Sequence, residues 1–172
     1  MRIQLERVKN IGRKIGLNDE KGYVVAVFLA LIIVSALVAG YVAFKPKPEG
    51  YNTIYLLDSQ KKAVDYPVVL VANQNSTFNV WVGVENHMGN TENYQILTKI
   101  TTDPSNLPVN TQPSNTTETT VDDGKSWQGL VSVTENQVGS YSVVFELWQY
   151  NQDSGTYQFT NNYCILNIQV IS

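Results

Sequence analysis

The chain has 172 residues, of which 43% are hydrophobic and only 16% are charged, whereas soluble domains usually carry about 25% charged residues. A single cysteine excludes an intramolecular disulfide framework and a multi-thiolate metal site, and a single histidine excludes a paired-histidine metal site. The length fits one domain with a short appendage.

The charges divide the chain into a basic start and an acidic remainder. Residues 1–22 carry six Lys and Arg against three Asp and Glu, whereas residues 51–172 carry four Lys against eleven Asp and Glu. No Arg follows Arg13. The two parts are therefore expected to face different surroundings.

An uncharged segment of 22 residues, 23–44, lies between these parts. As a helix it would extend about 33 Å, which is enough to cross a bilayer core of about 30 Å. A buried core helix and a cleaved signal peptide are the rival interpretations, and the run is longer than the apolar region of ordinary signal peptides. We favour a transmembrane helix that is not cleaved.

The excess of basic residues before this segment orients the N-terminus to the cytoplasm. Residues 1–22 are then a basic cytoplasmic segment, residues 45–50 are a proline-containing linker, and residues 51–172 are an extracytoplasmic domain. The protein is thus expected to cross the cell membrane once, with its C-terminal domain outside the cell. The lipid bilayer is the expected partner of residues 23–44, and a nucleic-acid partner is not expected.

The outer part is predicted to be all-β. Apolar residues alternate with other residues in four segments, which begin at Phe78, Tyr94, Tyr141 and Cys164, as is typical of strands with one face in a core. Shorter candidate strands and Asp-, Asn- and Gly-rich turns lie between them, with separate strands predicted at 156–160 and from Cys164 onward. Seven to nine short strands in this length indicate an immunoglobulin-like β-sandwich. The Pro-rich segment 103–120 is predicted to be a surface loop with a short strand at its end, either mobile or in contact with a partner.

Six short motifs follow one another along this part: Tyr66-Pro67, Val84-Glu85-Asn86-His87, Asn93-Tyr94, Asp122-Asp123-Gly124-Lys125-Ser126-Trp127, Gly139-Ser140-Tyr141 and Phe145-Glu146-Leu147-Trp148. Their order resembles the archaeal family called domain of unknown function 1616, over roughly residues 51–171. The resemblance implies an archaeal, membrane-associated protein without an assigned activity, so no catalytic residue is carried over. Members usually have an acidic residue after the Asn-His pair, where this chain has Met88.

No catalytic, cofactor-binding or metal-binding residues are predicted. The chain has no phosphate-binding loop and no nucleophile elbow. His87 is expected to form a hydrogen bond within a turn. Cys164 is expected to be a small apolar residue on the inner face of the last strand. The acidic residues Glu118, Asp122 and Asp123 match no calcium-loop pattern.

Two features of the outer part point to binding and modification. Asn75 and Asn115 each begin an Asn-X-Ser/Thr motif for N-glycosylation. Asn115, in the polar segment 103–120, is the preferred acceptor of the two. Tyr150, Tyr157 and Tyr163 surround the last predicted hairpin, and such rings anchor protein interfaces or stack on sugars.

The sequence therefore predicts a non-enzymatic, membrane-anchored interaction or structural module, a subunit or accessory of a cell-envelope or membrane protein complex. The alternative is a surface module that binds a carbohydrate or another small ligand.

Overall fold

The computed structural model describes residues 20–46 and 49–172. The chain divides into two compact units, Met1–Pro48 and Glu49–Ser172. Most of the predicted basic cytoplasmic segment, 1–22, lies outside the described residues, as do positions 47 and 48 of the predicted linker.

The first unit contains one helix, α1 (Glu20–Phe44), among the described residues. Its segment Gly22–Phe44, 23 residues long, is long and apolar enough to cross a membrane, and only 6% of its most apolar window is buried. The apolar side chains project outward, since Leu37 is 68% exposed and Phe44 88%. This exposure removes the core-helix interpretation, because a core helix would be mostly covered by protein.

Eight strands make up the second unit: β1 (Tyr51–Leu57), β2 (Val69–Val71), β3 (Thr77–His87), β4 (Glu92–Thr101), β5 (Asn115–Val121), β6 (Lys125–Thr134), β7 (Gly139–Asn151) and β8 (Thr156–Ile171). They form a three-stranded sheet in the order β1-β3-β6 and a five-stranded sheet in the order β2-β8-β7-β4-β5. All neighbouring strands are antiparallel except β2 and β8. The described residues thus form an immunoglobulin-like β-sandwich and one apolar helix that precedes it in the chain, as predicted.

The two sheets enclose one hydrophobic core. Four alternating series face it, from β3, β4, β7 and β8, and they include Val82, Ile96, Phe145 and Ile168. Phe145 is fully buried in the middle of β7, where it lies opposite Thr98 on one side and Cys164 on the other. The period of two in the sequence thus identified the inner face of each of these strands correctly.

The end of the chain differs from the prediction of two separate strands. Residues 156–171 form one strand, and its pairing with β7 shifts between Glu146 and Trp148. Asn161 adopts a positive φ of 63° at this irregularity, a conformation that Asn tolerates better than most residues. The polar run Thr160-Asn161-Asn162 therefore bends the strand without ending it.

The segment between β4 and β5, residues 102–114, is held against the protein. Val109 is 5% exposed, and the backbone of Ser114 donates a hydrogen bond to the carbonyl oxygen of Thr98 at 2.8 Å. The predicted strand at the end of this segment is β5. The prediction did not anticipate how firmly the segment is anchored to the outer face of the five-stranded sheet.

Candidate functional site

The anchor of segment 102–114 is a buried ion pair. The Lys99 ammonium lies 2.9 Å from the Glu146 carboxylate, and their side chains are 7% and 0% exposed. The Lys99 ammonium also donates to the carbonyl oxygen of Val109 at 2.6 Å, and the Val109 amide donates to Glu146 at 2.5 Å. The Trp148 indole N–H donates to the same carboxylate at 3.0 Å. Every polar atom of this cluster therefore has a partner, which is the condition for burying two charges.

The β7–β8 hairpin carries a row of aromatic side chains on the outer face of the five-stranded sheet. The Trp148 and Phe159 ring centroids lie 5.7 Å apart, and those of Tyr150 and Tyr157 lie 5.4 Å apart in an edge-to-face contact. Tyr163 lies further along the sheet, opposite Glu146, and is 45% exposed. The structure thus brings together two of the three predicted tyrosines, and we call the five residues the aromatic row.

Beside the aromatic row, an open cleft of about 970 Å³ lies at one end of the sandwich. Four segments line it, namely the start of β1, the β3–β4 turn, the tip of the β7–β8 hairpin and the bent middle of β8. The lining residues are Gly50, Tyr51, Asn52, Met88, Asn90, Thr91, Glu92, Gln149, Tyr150, Asn151, Gln152, Asp153, Gln158, Phe159, Thr160 and Asn162. Carboxamides are the commonest side chains in this lining.

Three of these carboxamides hold one another in place. Asn52, which is 8% exposed, donates to the side-chain oxygen of Gln149 at 3.0 Å. Asn162 in turn donates to the backbone and side-chain oxygens of Asn52. These contacts connect the two sheets across the floor of the cleft and fix its donors and acceptors before any ligand enters.

The β3–β4 turn forms one wall and depends on Asn86. This fully buried amide donates to the carbonyl oxygens of Asn90 and Val121 at 2.7 Å each, and it accepts a hydrogen bond from the Met88 amide at 3.0 Å. The Tyr94 hydroxyl donates to it at 3.2 Å, and burial raises the pKa of Tyr94 to about 12. Asn86, the first residue of the Asn-His pair, therefore has a structural role.

The other wall is shaped by the hairpin tip. The side-chain oxygen of Asn151 accepts hydrogen bonds from the amides of Asp153 and Ser154, at 2.9 and 3.1 Å. Gly155 has a positive φ of 66°, which a glycine adopts without a steric cost. The charged groups that described residues place in the lining are the carboxylates of Glu92 and Asp153.

The groups considered for catalysis occupy structural positions. The His87 ring stacks on Tyr51, with centroids 4.6 Å apart, and lies 3.9 Å from the Glu85 carboxylate. Burial raises the pKa of the Cys164 thiol to about 11, so the reactive thiolate is scarce at neutral pH. Two of the acidic residues considered for calcium binding accept hydrogen bonds within the protein. Asp122 accepts one from the Thr91 hydroxyl, and Asp123 accepts one from the Gly89 amide. Within 20–46 and 49–172 no three His, Cys, Asp or Glu side chains are grouped to hold a metal ion.

The two glycosylation motifs differ in exposure. Asn75 is exposed in the turn that follows β2. Asn115 begins β5, at the edge of the five-stranded sheet, where it is half-buried and accepts a hydrogen bond from Thr117 at 3.3 Å. Asn75 is therefore the more accessible acceptor, whereas the sequence had favoured Asn115.

Comparison with solved structures finds similar folds. The CARDB domain of a Pyrococcus furiosus protein, in a crystal structure with di-metal ions, is 14% identical over 72% of this chain and 90% of its own, with a TM-score of 0.48. A solution NMR structure of that domain is 15% identical over 73% and 98%, with a TM-score of 0.49. A β-glucosidase from Listeria innocua in complex with glucose is 8% identical over 72% of this chain and 16% of its own, with a TM-score of 0.44. None of these likenesses bears on activity or ligands.

At the level of sequence, the model of a family described as a domain of unknown function, number 1616, matches residues 45–168. A search of curated proteins finds no match.

Proposed function

Because that family model covers most of the chain, the chain belongs to the domain of unknown function 1616 family, and we propose that it is a non-enzymatic, membrane-anchored interaction module. In this proposal α1 anchors the chain in the membrane of an archaeal cell. The β-sandwich lies outside the cytoplasm and binds another protein of the cell envelope or of a membrane complex.

The aromatic row of the β7–β8 hairpin is the observation that carries this proposal. It places Trp148, Tyr150, Tyr157, Phe159 and Tyr163 on one face of one hairpin. Aromatic side chains of this kind supply much of the binding energy in protein interfaces, because they bury a large area and lose little conformational entropy. A protein partner seated on this face would cover rings that are now partly exposed.

The positions of His87 and Cys164 support a role without catalysis. The His87 ring is occupied by its stack on Tyr51. The Cys164 Sγ lies 3.4 Å from the carbonyl oxygen of Ile54, an acceptor on the neighbouring sheet. A nucleophilic cysteine needs a depressed thiol pKa and an electropositive, accessible setting, and this thiol has the opposite shift.

The asymmetry of charge supports the proposed orientation. Six Lys and Arg precede the apolar segment, whereas two, Lys45 and Lys47, follow it closely. Cytoplasmic flanks are enriched in basic residues, so the N-terminus would stay inside and Glu49–Ser172 outside. Asn75 would then be available to a glycosylation enzyme on the outer side.

The topology can be tested with single cysteines in a Cys164→Ser background. We expect Ser59→Cys, at an exposed turn after β1, to react with a membrane-impermeant maleimide on intact cells. Gln4→Cys, near the N-terminus, should react only after the cells are broken open. Labelling of Gln4→Cys but not of Ser59→Cys on intact cells would reverse the orientation. Recovery of the chain in the soluble fraction would overturn the membrane anchor.

A further inference from the structure

We propose that the cleft beside the aromatic row binds a neutral oligosaccharide of about two or three sugar rings, a size suited to a cavity at the upper end of the usual range for ligand sites. This binding activity goes beyond the proposed protein interaction, and either can exist without the other. Its basis is the chemistry of the cleft lining, which is rich in carboxamides, bordered by aromatic rings and, within the described part of the chain, free of basic residues.

The carboxamides suit a ligand that is rich in hydroxyl groups. Each Asn or Gln side chain offers an acceptor oxygen and donor N–H groups, so that one amide can both donate to and accept from neighbouring hydroxyls of a sugar. The side-chain nitrogen of Gln149 and the side chains of Asn90 and Gln152 make no hydrogen bond to other described residues. The interlocked Asn52 and Asn162 hold the floor in one arrangement, which lowers the entropy cost of binding.

The rings at the border suit the apolar faces of sugar rings. Tyr51 is 55% exposed, although its ring is steadied by the stack on His87. Tyr150 is held edge-to-face by Tyr157, and Phe159 packs against Trp148 in a tilted contact. Three aromatic surfaces with fixed orientations therefore lie around a polar floor, an arrangement that can both stack on a sugar and hydrogen-bond its hydroxyls.

The charges of the lining select against other ligands. Among the described residues, no Lys, Arg or His lines the cleft and two carboxylates do, so phosphates, nucleotides and acidic peptides would meet repulsion without a compensating ion pair. Met88 is the one aliphatic side chain that the described residues contribute to the lining, so an apolar ligand would leave many amides without partners. A neutral polyhydroxylated ligand is not repelled by the carboxylates, and its hydroxyl groups give the amides hydrogen-bond partners.

The test uses the full chain in lipid nanodiscs, so that no sugar-headed detergent competes for the cleft. Saturation-transfer difference NMR is recorded with maltotriose, mannotriose and N,N′,N″-triacetylchitotriose, and with a neutral, terminally blocked hexapeptide. We expect transfer to at least one trisaccharide and none to the hexapeptide. No transfer to any trisaccharide at about 10 mM, a concentration that reveals even very weak binding, would overturn the proposal. Transfer to the hexapeptide alone would overturn it in favour of a peptide site.

The two members of one aromatic pair provide matched variants. Tyr150 lines the cleft and Tyr157 does not. Each of the two Leu variants removes the same edge-to-face contact between these rings. We expect Tyr150→Leu to weaken trisaccharide binding at least tenfold and Tyr157→Leu to weaken it by a clearly smaller factor, because Tyr157 orients the Tyr150 ring but does not line the cleft. Equal losses in the two variants, or no loss in Tyr150→Leu, would place the bound sugar elsewhere. The trisaccharide is titrated into the chain alone, so the absence of a protein partner cannot account for the difference between the two variants.

Discussion

Replacing Lys99 by Met should lower the free energy of unfolding by about 3–5 kcal/mol, the usual cost of removing one partner from a buried ion pair. The Glu146 carboxylate is fully buried, and Lys99 is the cation beside it. Without Lys99 the carboxylate would have to stay charged in a low-dielectric site or take up a proton. Urea unfolding of the unit Glu49–Ser172, followed by tryptophan fluorescence, measures this change.

A double variant separates the charge from the packing. Adding Glu146→Gln to Lys99→Met removes the unpaired charge while keeping an oxygen that accepts from the Val109 amide. The double variant should therefore be more stable than Lys99→Met alone. Hydrogen exchange in residues 102–114 should rise in the single variant, because the ion pair anchors Val109. A change of less than about 0.5 kcal/mol, which is typical of surface substitutions, would contradict the buried ion pair.

Replacing Phe145 by Ala should also cost about 3–5 kcal/mol, the range for truncating a large aromatic side chain in a core. Phe145 is fully buried in the central region of β7 and belongs to the single hydrophobic core of the sandwich. The loss combines the transfer of the ring to water with the cavity that it leaves. The same urea measurement applies.

Tyr163→Ala is the matched control, because Tyr163 is an aromatic residue on the adjacent strand β8 that faces away from the core and is 45% exposed. It should cost less than about 1 kcal/mol. Equal losses in Phe145→Ala and Tyr163→Ala would contradict the assignment of Phe145 to the core and of Tyr163 to the outer face.

The β-sandwich could be predicted because its core strands follow a simple local rule. Phe78, Val80, Val82 and Val84 alternate with a mixed set of residues, and all four are buried. A period of two fixes which face of a strand is apolar without reference to any distant residue. The same rule placed Cys164 on the inner face, where burial raises its thiol pKa.

The rule fails where a second layer covers the outer face. Alternation places Val144 and Glu146 on the face of β7 that is turned away from the core, yet both are fully buried. Their burial depends on Lys99, which the sheet register brings beside them from β4, and on Val109 in segment 102–114. No local pattern reports a pairing between residues 47 positions apart, so the anchored segment was not foreseen.

The cleft escaped prediction for a similar reason. Its floor joins Asn52 to Gln149 and Asn162, which are 97 and 110 residues distant in sequence. Isolated Asn and Gln residues are common in polar turns, so nothing in the sequence distinguished these three. The aromatic row was foreseen only in part: the tyrosines were identified, but the bend at Asn161 that sets Phe159 beside Trp148 was not.

The central claim, that the protein works by holding a partner protein, is tested most directly by isolating the full chain from its native membranes. After mild solubilisation, we expect native mass spectrometry to show the chain bound to one further protein at a fixed stoichiometry. The complex should survive His87→Ala, and Tyr157→Ala should weaken it at least tenfold, as expected for an aromatic anchor. A chain that is isolated alone, or a complex that depends on His87 but not on Tyr157, would contradict the account.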